Sequence, residues 1–183
     1  MKIMIVAPYI FDNNIFEFTR NKTGFGKMVR EIMISVGKLE DVELLTRVII
    51  SSKEANRVNY NVLPHTWKMI IKNATIKDWG MGINKFFSTH GGVKNRLRQG
   101  FYAIDNGYAR EQIKRQKPDI VHIHGLGSIT KGYIEVCEKL GIKYALTLHG
   151  LIGLDESLLV PECEKRIEKE FLIFANKKNI PIS

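Results

Sequence analysis

Apolar residues along the chain recur with two different periods. The opening run "KIMIVAPYI" is almost wholly apolar and stops at Pro8, which predicts a buried strand starting at Lys2. Over residues 26 to 37, Val29, Ile32, Met33 and Val36 fall at i, i+3, i+4 and i+7, one face of a helix. "VELLTRVII" (42 to 50) reads as a second strand closed by a Ser-Ser turn, and "RVNYNVL" (57 to 63) as a weaker third. Residues 64 to 93 show no sustained period and read as a long, partly mobile loop. From Lys94 the helical period returns, carried by Leu97, Phe101, Ile104 and Tyr108 and closed by the basic "KRQKPD"; Gly107 interrupts it. A strand over 119 to 124 and a helix over 129 to 140 follow, with Ser128 as N-cap and Gly141 just past the end. A strand over 142 to 150, a helix over 161 to 175 that aligns Cys163, Ile167, Phe171 and Phe174, and a short final strand in "NIPIS" complete the pattern.

Strands alternating with amphipathic helices predict an α/β fold, a doubly wound parallel sheet of Rossmann-like type, in one domain spanning 1–183. Ligands of such sheets bind outside the carboxyl ends of the strands. Four features are predicted at that edge: the glycine turn after the first strand, His124 with Gly125, the helix start at Ser128, and His149 with Gly150.

Composition narrows the class. The chain is 44% hydrophobic and 26% charged, which suits a globular domain with its own core. Cys137 and Cys163 have neither CxxC nor metal-ligand spacing, and such sparse usage fits a reducing, cytoplasmic compartment. Lys2 before an apolar run has the outline of a secretory signal, but Pro8 breaks the run and no small-residue cleavage site follows. No window of 18 to 20 uninterrupted apolar residues occurs. The net charge of +9 is concentrated: His65 to Lys117 holds eleven Lys/Arg against three acidic residues, +8 of the total. That segment suits an anionic partner or a solvated face. Nucleic acid is not expected, because basic and aromatic residues are not interleaved on a strand platform.

The candidate chemistry lies in "PDIVHIHGLGSI" (118 to 129). Spacing i, i+2 in a strand puts His122 and His124 on one face, where a buried parallel strand would ordinarily show Val, Ile or Leu. His122 lies deeper along the strand and is expected to be the more buried, a hydrogen-bonded core histidine. His124 ends the strand, with its ring expected to face the cleft and donate to a phosphate or sugar hydroxyl. His149 ends the neighbouring strand in the same way and suits a cleft-lining role and a structural one equally. "NKTGFGK" places Gly24 and Gly26 beside a helix start, where amides and the helix dipole can hold a phosphate; a glycine turn without ligand explains the same residues. It fits neither GxGxxG nor GxxxxGK[ST]. A zinc site of the three histidines is disfavoured, since no carboxylate is spaced to support them, and no metal is expected. No G-x-S-x-G elbow is present for a hydrolase triad. Asp155 and Glu156 suit a cleft or an ordinary helix start.

"KIMIVAPYIF…TGFGKMVREIMISVG", followed by "KPDIVHIHGLGSITKGYIEVCEKLGIKYALTLHGL", resembles the N-terminal Rossmann-like domain of GT-B glycosyltransferases of the family 4 type. The resemblance covers nearly the whole chain except 64 to 93. It implies retaining, metal-free transfer of a sugar from a nucleotide-sugar donor to a glycan or lipid-diphosphate acceptor, as in cell-surface polysaccharide or lipopolysaccharide biosynthesis by hexosyltransferases. It implies that Gly24 and Gly26 approach the donor diphosphate, that His124 lies against the transferred sugar and phosphate, and that His122, Gly125, His149 and Gly150 line the cleft or acceptor side. Residues 64 to 93 become an acceptor-loop candidate, and the basic segment suits peripheral contact with an anionic cytoplasmic membrane face. Such enzymes are about twice as long, with a C-terminal donor-binding domain carrying an Arg/Lys pair and an ExxxxxxxE motif. Neither is found here, so the resemblance implies a domain inactive by itself. The alternative is a stand-alone, non-catalytic module that binds a phosphorylated ligand or a membrane surface.

Overall fold

The structure, a computed structural model, describes residues 1–8, 24–49, 63–150, 162–178, 180 and 182. Its elements are β1 (Lys2–Ala7), α1 (Gly24–Gly37), β2 (Glu43–Ile49), β3 (Leu63–His65), α2 (Trp67–Asn73), α3 (Ile76–Ser88), α4 (Val93–Gln116), β4 (Ile120–His124), α5 (Ser128–Leu140), β5 (Lys143–Thr147) and α6 (Glu162–Lys178). The predicted strand over 57 to 63 lies outside the described residues but for Leu63; Asp155, Glu156 and the Cys163 side chain lie outside them too.

The strands form one parallel sheet in the order β3-β2-β1-β4-β5. The order reverses between β1 and β4, so their carboxyl ends flank the crevice where α/β sheets take ligands. Side-chain alternation sorts the core onto two faces. Met4 and Val6 of β1, with Val121 and Ile123 of β4 and Leu146 of β5, pack against α4, α5 and α6 through Ile113, Tyr133, Cys137 and Phe171. Ile5 and Ala7 turn to the other face and meet Val48 and Val29 of α1. In register, Ile5 is opposite His122, so both histidines of β4 belong to the α1 face.

Residues 64 to 93 correct the expected loop: they hold a short strand and two helices. Both helices are capped by side chains, Thr66 accepting from the Met69 amide and Thr75 forming a capping box with Asp78. The sequence hides this because α3 carries apolar residues on two sides. Its inner face packs on α4 through small residues and Asp78, which enters α4 where Gly107 leaves room for the carboxylate. The glycine that breaks the helical pattern therefore marks a contact, not a helix end.

Two smaller expectations also change. Ser128 is the first residue of α5 and Gly127, which has no side chain to accept from the helix amides, its cap; the Gly127 amide donates back to Thr130 Oγ1 at 2.9 Å, the N3 half of a capping box. "NIPIS" forms no strand among the described residues, only one bridge from Ile182 to Leu146. Gly141 ends α5 in the left-handed conformation, φ +67°, as expected.

Candidate functional site

β4 and β5 deliver three imidazoles to the carboxyl edge of the sheet on the α1 face. The His122 and His124 rings lie 4.2 Å apart, as same-face residues on one strand should. His149, just beyond β5, stacks over His124 with centroids 5.3 Å apart, and its Nε2 stands 3.0 Å from Nδ1 of His124. His122 Nε2 pairs with Thr147 Oγ1 at 2.9 Å.

The depth order is the reverse of the expected one. His124 is fully buried and His122 half-buried. Position along the strand does not decide it: His149 and Phe25 fold over the end of β4, while His122 stands opposite Ala145, whose short side chain leaves its ring open. Consequently His124 does not face an open cleft with its ring edge. Its Nδ1 is taken by His149, and its Nε2 is buried with no partner among the described residues.

Burial keeps the cluster neutral. It pushes the His124 pKa down to about 3, helped by His122 and His149, and lowers His122 and His149 in the same direction. Between two neutral imidazoles only one nitrogen of the 3.0 Å contact carries the proton. When His149 Nε2–H donates, His124 holds its proton on Nε2 and presents a donor. When His124 Nδ1–H donates, Nε2 is an acceptor. An oxygen arriving at Nε2 therefore selects the first arrangement.

The first turn of α1 closes the other side. Gly24 and Gly26, expected just before the helix, form its first turn, Gly24 exposed and Gly26 buried. That turn has no acidic residue to compete with a bound anion. Between the glycines, Phe25 meets the His149 ring edge-on at 4.4 Å. It also touches Gly125, where a Cβ would lie 3.3 Å from the phenyl ring. Gly125 has φ +72°, and its amide donates to the Thr147 carbonyl at 2.9 Å, adding one rung to the ladder beyond β4. Gly150, exposed with a positive φ, lies at the outer rim.

The structure thus brings Gly24, Gly26, His122, His124, Gly125 and His149 to one rim. Sequence reasoning missed Phe25 and Thr147, the groups that seat His149 and His122. Thr147 was legible as the residue two before His149 on the same strand face; Phe25 gave no signal beyond its place between two glycines. Among the described residues no cluster of three His, Cys, Asp or Glu side chains is arranged to hold a metal ion. Cys137 is a buried core thiol, its pKa pushed up to about 12 by burial.

Residues 89–176 match the family model for Glycosyltransferase Family 4. The match takes in the three histidines and leaves the α1 glycines outside. No curated protein sequence matches the chain. Among solved structures, the UDP-GlcNAc 2-epimerase from Neisseria meningitidis bound to UDP-GlcNAc is similar at 13% identity and TM-score 0.52, over 92% of this chain and 37% of that one. A second UDP-N-acetylglucosamine 2-epimerase is similar at 12% identity and TM-score 0.50, over 93% of this chain and 39% of its own. At such identities the likeness is one of fold, and the chain spans well under half the length of those structures. The stretches PDIVHIHG and TLHG that carry the resemblance both lie within the matched residues: 89–176 are similar to Glycosyltransferase Family 4, and the sheet that bears them is Rossmann-like.

Proposed function

We propose that the chain is the acceptor-side domain of a retaining glycosyltransferase, which moves a sugar from a nucleotide-sugar to a glycan or lipid-linked acceptor in cell-surface polysaccharide biosynthesis. The observation that carries this reading is the buried, unpartnered Nε2 of His124 at the strand-order reversal, close to the helix start at Gly24 and Gly26. The family match supports sugar transfer, and the neighbour that holds UDP-GlcNAc supports a nucleotide-sugar donor.

In the reaction, the bond from the sugar's anomeric carbon to the diphosphate oxygen breaks and the electron pair leaves with the nucleoside diphosphate. The acceptor oxygen bonds to that carbon, and its proton passes to the departing diphosphate oxygen. Charge grows on the leaving oxygen, and donors fixed in advance where it grows lower the barrier. Two belong to this chain: the first-turn amides of α1 and Nε2–H of His124. A neutral imidazole donates without forming an ion pair that would hold the product. A second, C-terminal lobe supplies the nucleotide pocket and the remaining contacts; the transfer needs no metal from this half. A lipid-linked acceptor would place the protein at the cytoplasmic membrane face.

The test uses the longest natural form of the polypeptide, assayed for nucleoside diphosphate release from UDP-glucose, UDP-GlcNAc and GDP-mannose. Release is expected from one donor, with His124→Ala lowering kcat by about 100-fold or more in a folded protein. Near-normal kcat in that variant would retire the role of His124. Epimerisation of UDP-GlcNAc without transfer, or binding of a phosphorylated ligand without turnover of any donor, would overturn the transferase reading.

A further inference from the structure

α4 begins without a side-chain cap. Gly92 stands at the N-cap, and the first turn holds no acidic residue to answer the helix dipole. Side chains further along the helix fix the approach to it. Asn95 Nδ2 donates to the His90 carbonyl at 3.0 Å and Arg96 Nε to the Gly91 carbonyl at 3.1 Å, and Gly91 makes the bend with φ +109°. The bare helix start therefore sits behind a turn whose shape is set in advance.

A cavity of about 790 Å³ opens on this turn, between the end of α3 and the starts of α4 and α6. It lies in the helix layer across the sheet from the histidine rings, since α4 and α6 cover the face of Met4 and Val6, and His122 and His124 belong to the other. Four cations from three helices line it: Lys85 from α3, Lys94 and Arg98 from α4, and Arg166 from α6. Glu162 is the one carboxylate among the described lining residues, and it is paired with Lys165. A carboxylate ligand needs a single cation. Several cations around an uncapped helix start suit the dianionic, three-oxygen head of a phosphate monoester.

Gln99 says what the rest of the ligand carries. It lines this cavity and a neighbouring one of about 370 Å³ that Asn106 of α4 shares with Glu135 of α5. The Gln99 amide nitrogen is buried and has no partner among the described residues. A hydroxyl both donates and accepts, so it satisfies an amide in either orientation. The described lining of the larger cavity holds no Phe, Tyr or Trp on which a nucleobase would stack, and its size is that of a small-molecule site, far more than a lone phosphate fills.

We propose that this cavity is a second ligand site, which binds a sugar phosphate with the phosphate on the cations at the start of α4 and the sugar hydroxyls toward Gln99. It goes beyond the sugar-transfer reading and uses none of the side chains assigned to transfer, so each stands or falls without the other.

The test is isothermal titration calorimetry of the 183-residue chain with glucose 1-phosphate, glucose 6-phosphate and mannose 1-phosphate, against glucose and inorganic phosphate. One sugar phosphate is expected to bind at one site per chain, about tenfold or more tighter than glucose or inorganic phosphate, because both ends of the site then contribute. Binding should raise the thermal midpoint, since only the folded chain brings α3, α4 and α6 together. Lys85→Gln with Arg166→Gln, both at exposed positions, should weaken binding about tenfold or more and leave the thermal transition of the free chain in place. Gln99→Met keeps the length and removes the amide; it should weaken the sugar phosphate severalfold and leave inorganic phosphate unchanged. Equal affinity for inorganic phosphate, or sugar phosphate binding that His124→Ala abolishes and the cavity variants do not reduce, would overturn the proposal. So would no binding of any free sugar phosphate at millimolar concentration. Binding to phosphatidic acid vesicles alone, lost in the Lys85 and Arg166 variant, would overturn it by giving the cavity to a lipid headgroup.

Discussion

Nδ1 of His124 and Nε2 of His149 share one proton across 3.0 Å, and the far nitrogen of His124 is buried without a described partner. His149 thereby decides whether His124 offers a donor or an acceptor. His149→Ala leaves both buried nitrogens of His124 unpaired and should destabilise the chain by about 1–3 kcal/mol. His149→Gln, whose amide can still reach a ring nitrogen, should recover part of that loss. Urea denaturation of the three proteins measures it; equal stability of the Ala and Gln variants would show that packing, not the hydrogen bond, is what His149 provides.

Acid should act on the same cluster. The folded His124 pKa lies near 3, well below the ordinary imidazole value of about 6.5, so the unfolded chain binds more protons between those limits. The stability contributed by neutral His124 is complete above about pH 6.5 and drains away as pH falls toward 3, at up to about 1.4 kcal/mol per pH unit. His122 and His149 are lowered in the same direction and add to the slope. Urea midpoints at pH 7 and pH 5 should therefore differ more for the parent chain than for His124→Asn. Equal differences would place the buried imidazole outside the acid transition.

The sheet and its helices were legible because their apolar positions keep a strict period: Met4 and Val6 against Ile5 and Ala7, or Tyr133, Val136 and Cys137 along α5. The rim was legible in part, since strand alternation alone puts His122 and His124 together. Their burial was not, because it depends on Phe25 and His149, brought over the strand end from elements distant in sequence. α3 was hidden for a related reason. Its outward face is apolar where a surface helix is usually polar, and its inward face relies on Asp78, a residue that pattern reading assigns to solvent.

Gly125 offers a separable test of the contact between α1 and β4. An alanine there suffers twice, from φ +72° and from Phe25 at 3.3 Å. Gly141 shares the backbone strain, φ +67°, but its Cβ would meet nothing within 4 Å. Gly141→Ala should cost about 1–2 kcal/mol, the penalty of the left-handed conformation. Gly125→Ala should cost more and should also shift the His149 ring resonances, since Phe25 must move from a ring only 4.4 Å away. Identical costs with an unmoved His149 spectrum would mean that Phe25 yields freely.

Asp78 and Gly107 make the last pair. The Asp78 carboxylate is fully buried; burial alone would raise its pKa, but the Thr75 amide at 2.9 Å, the Thr75 hydroxyl at 2.7 Å and the Arg110 guanidinium at 2.9 Å outweigh that and hold it below the usual value. A depressed carboxylate stabilises the fold above its unfolded pKa of about 4, and that stability is lost as pH falls through the folded value. Asp78→Asn should thus lower the thermal midpoint at pH 7 and narrow the gap between midpoints at pH 7 and pH 3. Gly107→Ala acts through shape: its methyl would occupy the space of the carboxylate, and forcing α3 away from α4 should cost about 1–3 kcal/mol at every pH. Because Asp78 also caps α3, the methyl should lower the helical circular dichroism signal as well as the midpoint. A Gly107→Ala chain with the parent's midpoint and helicity would show that the two helices are not held at the separation their carboxylate and glycine require.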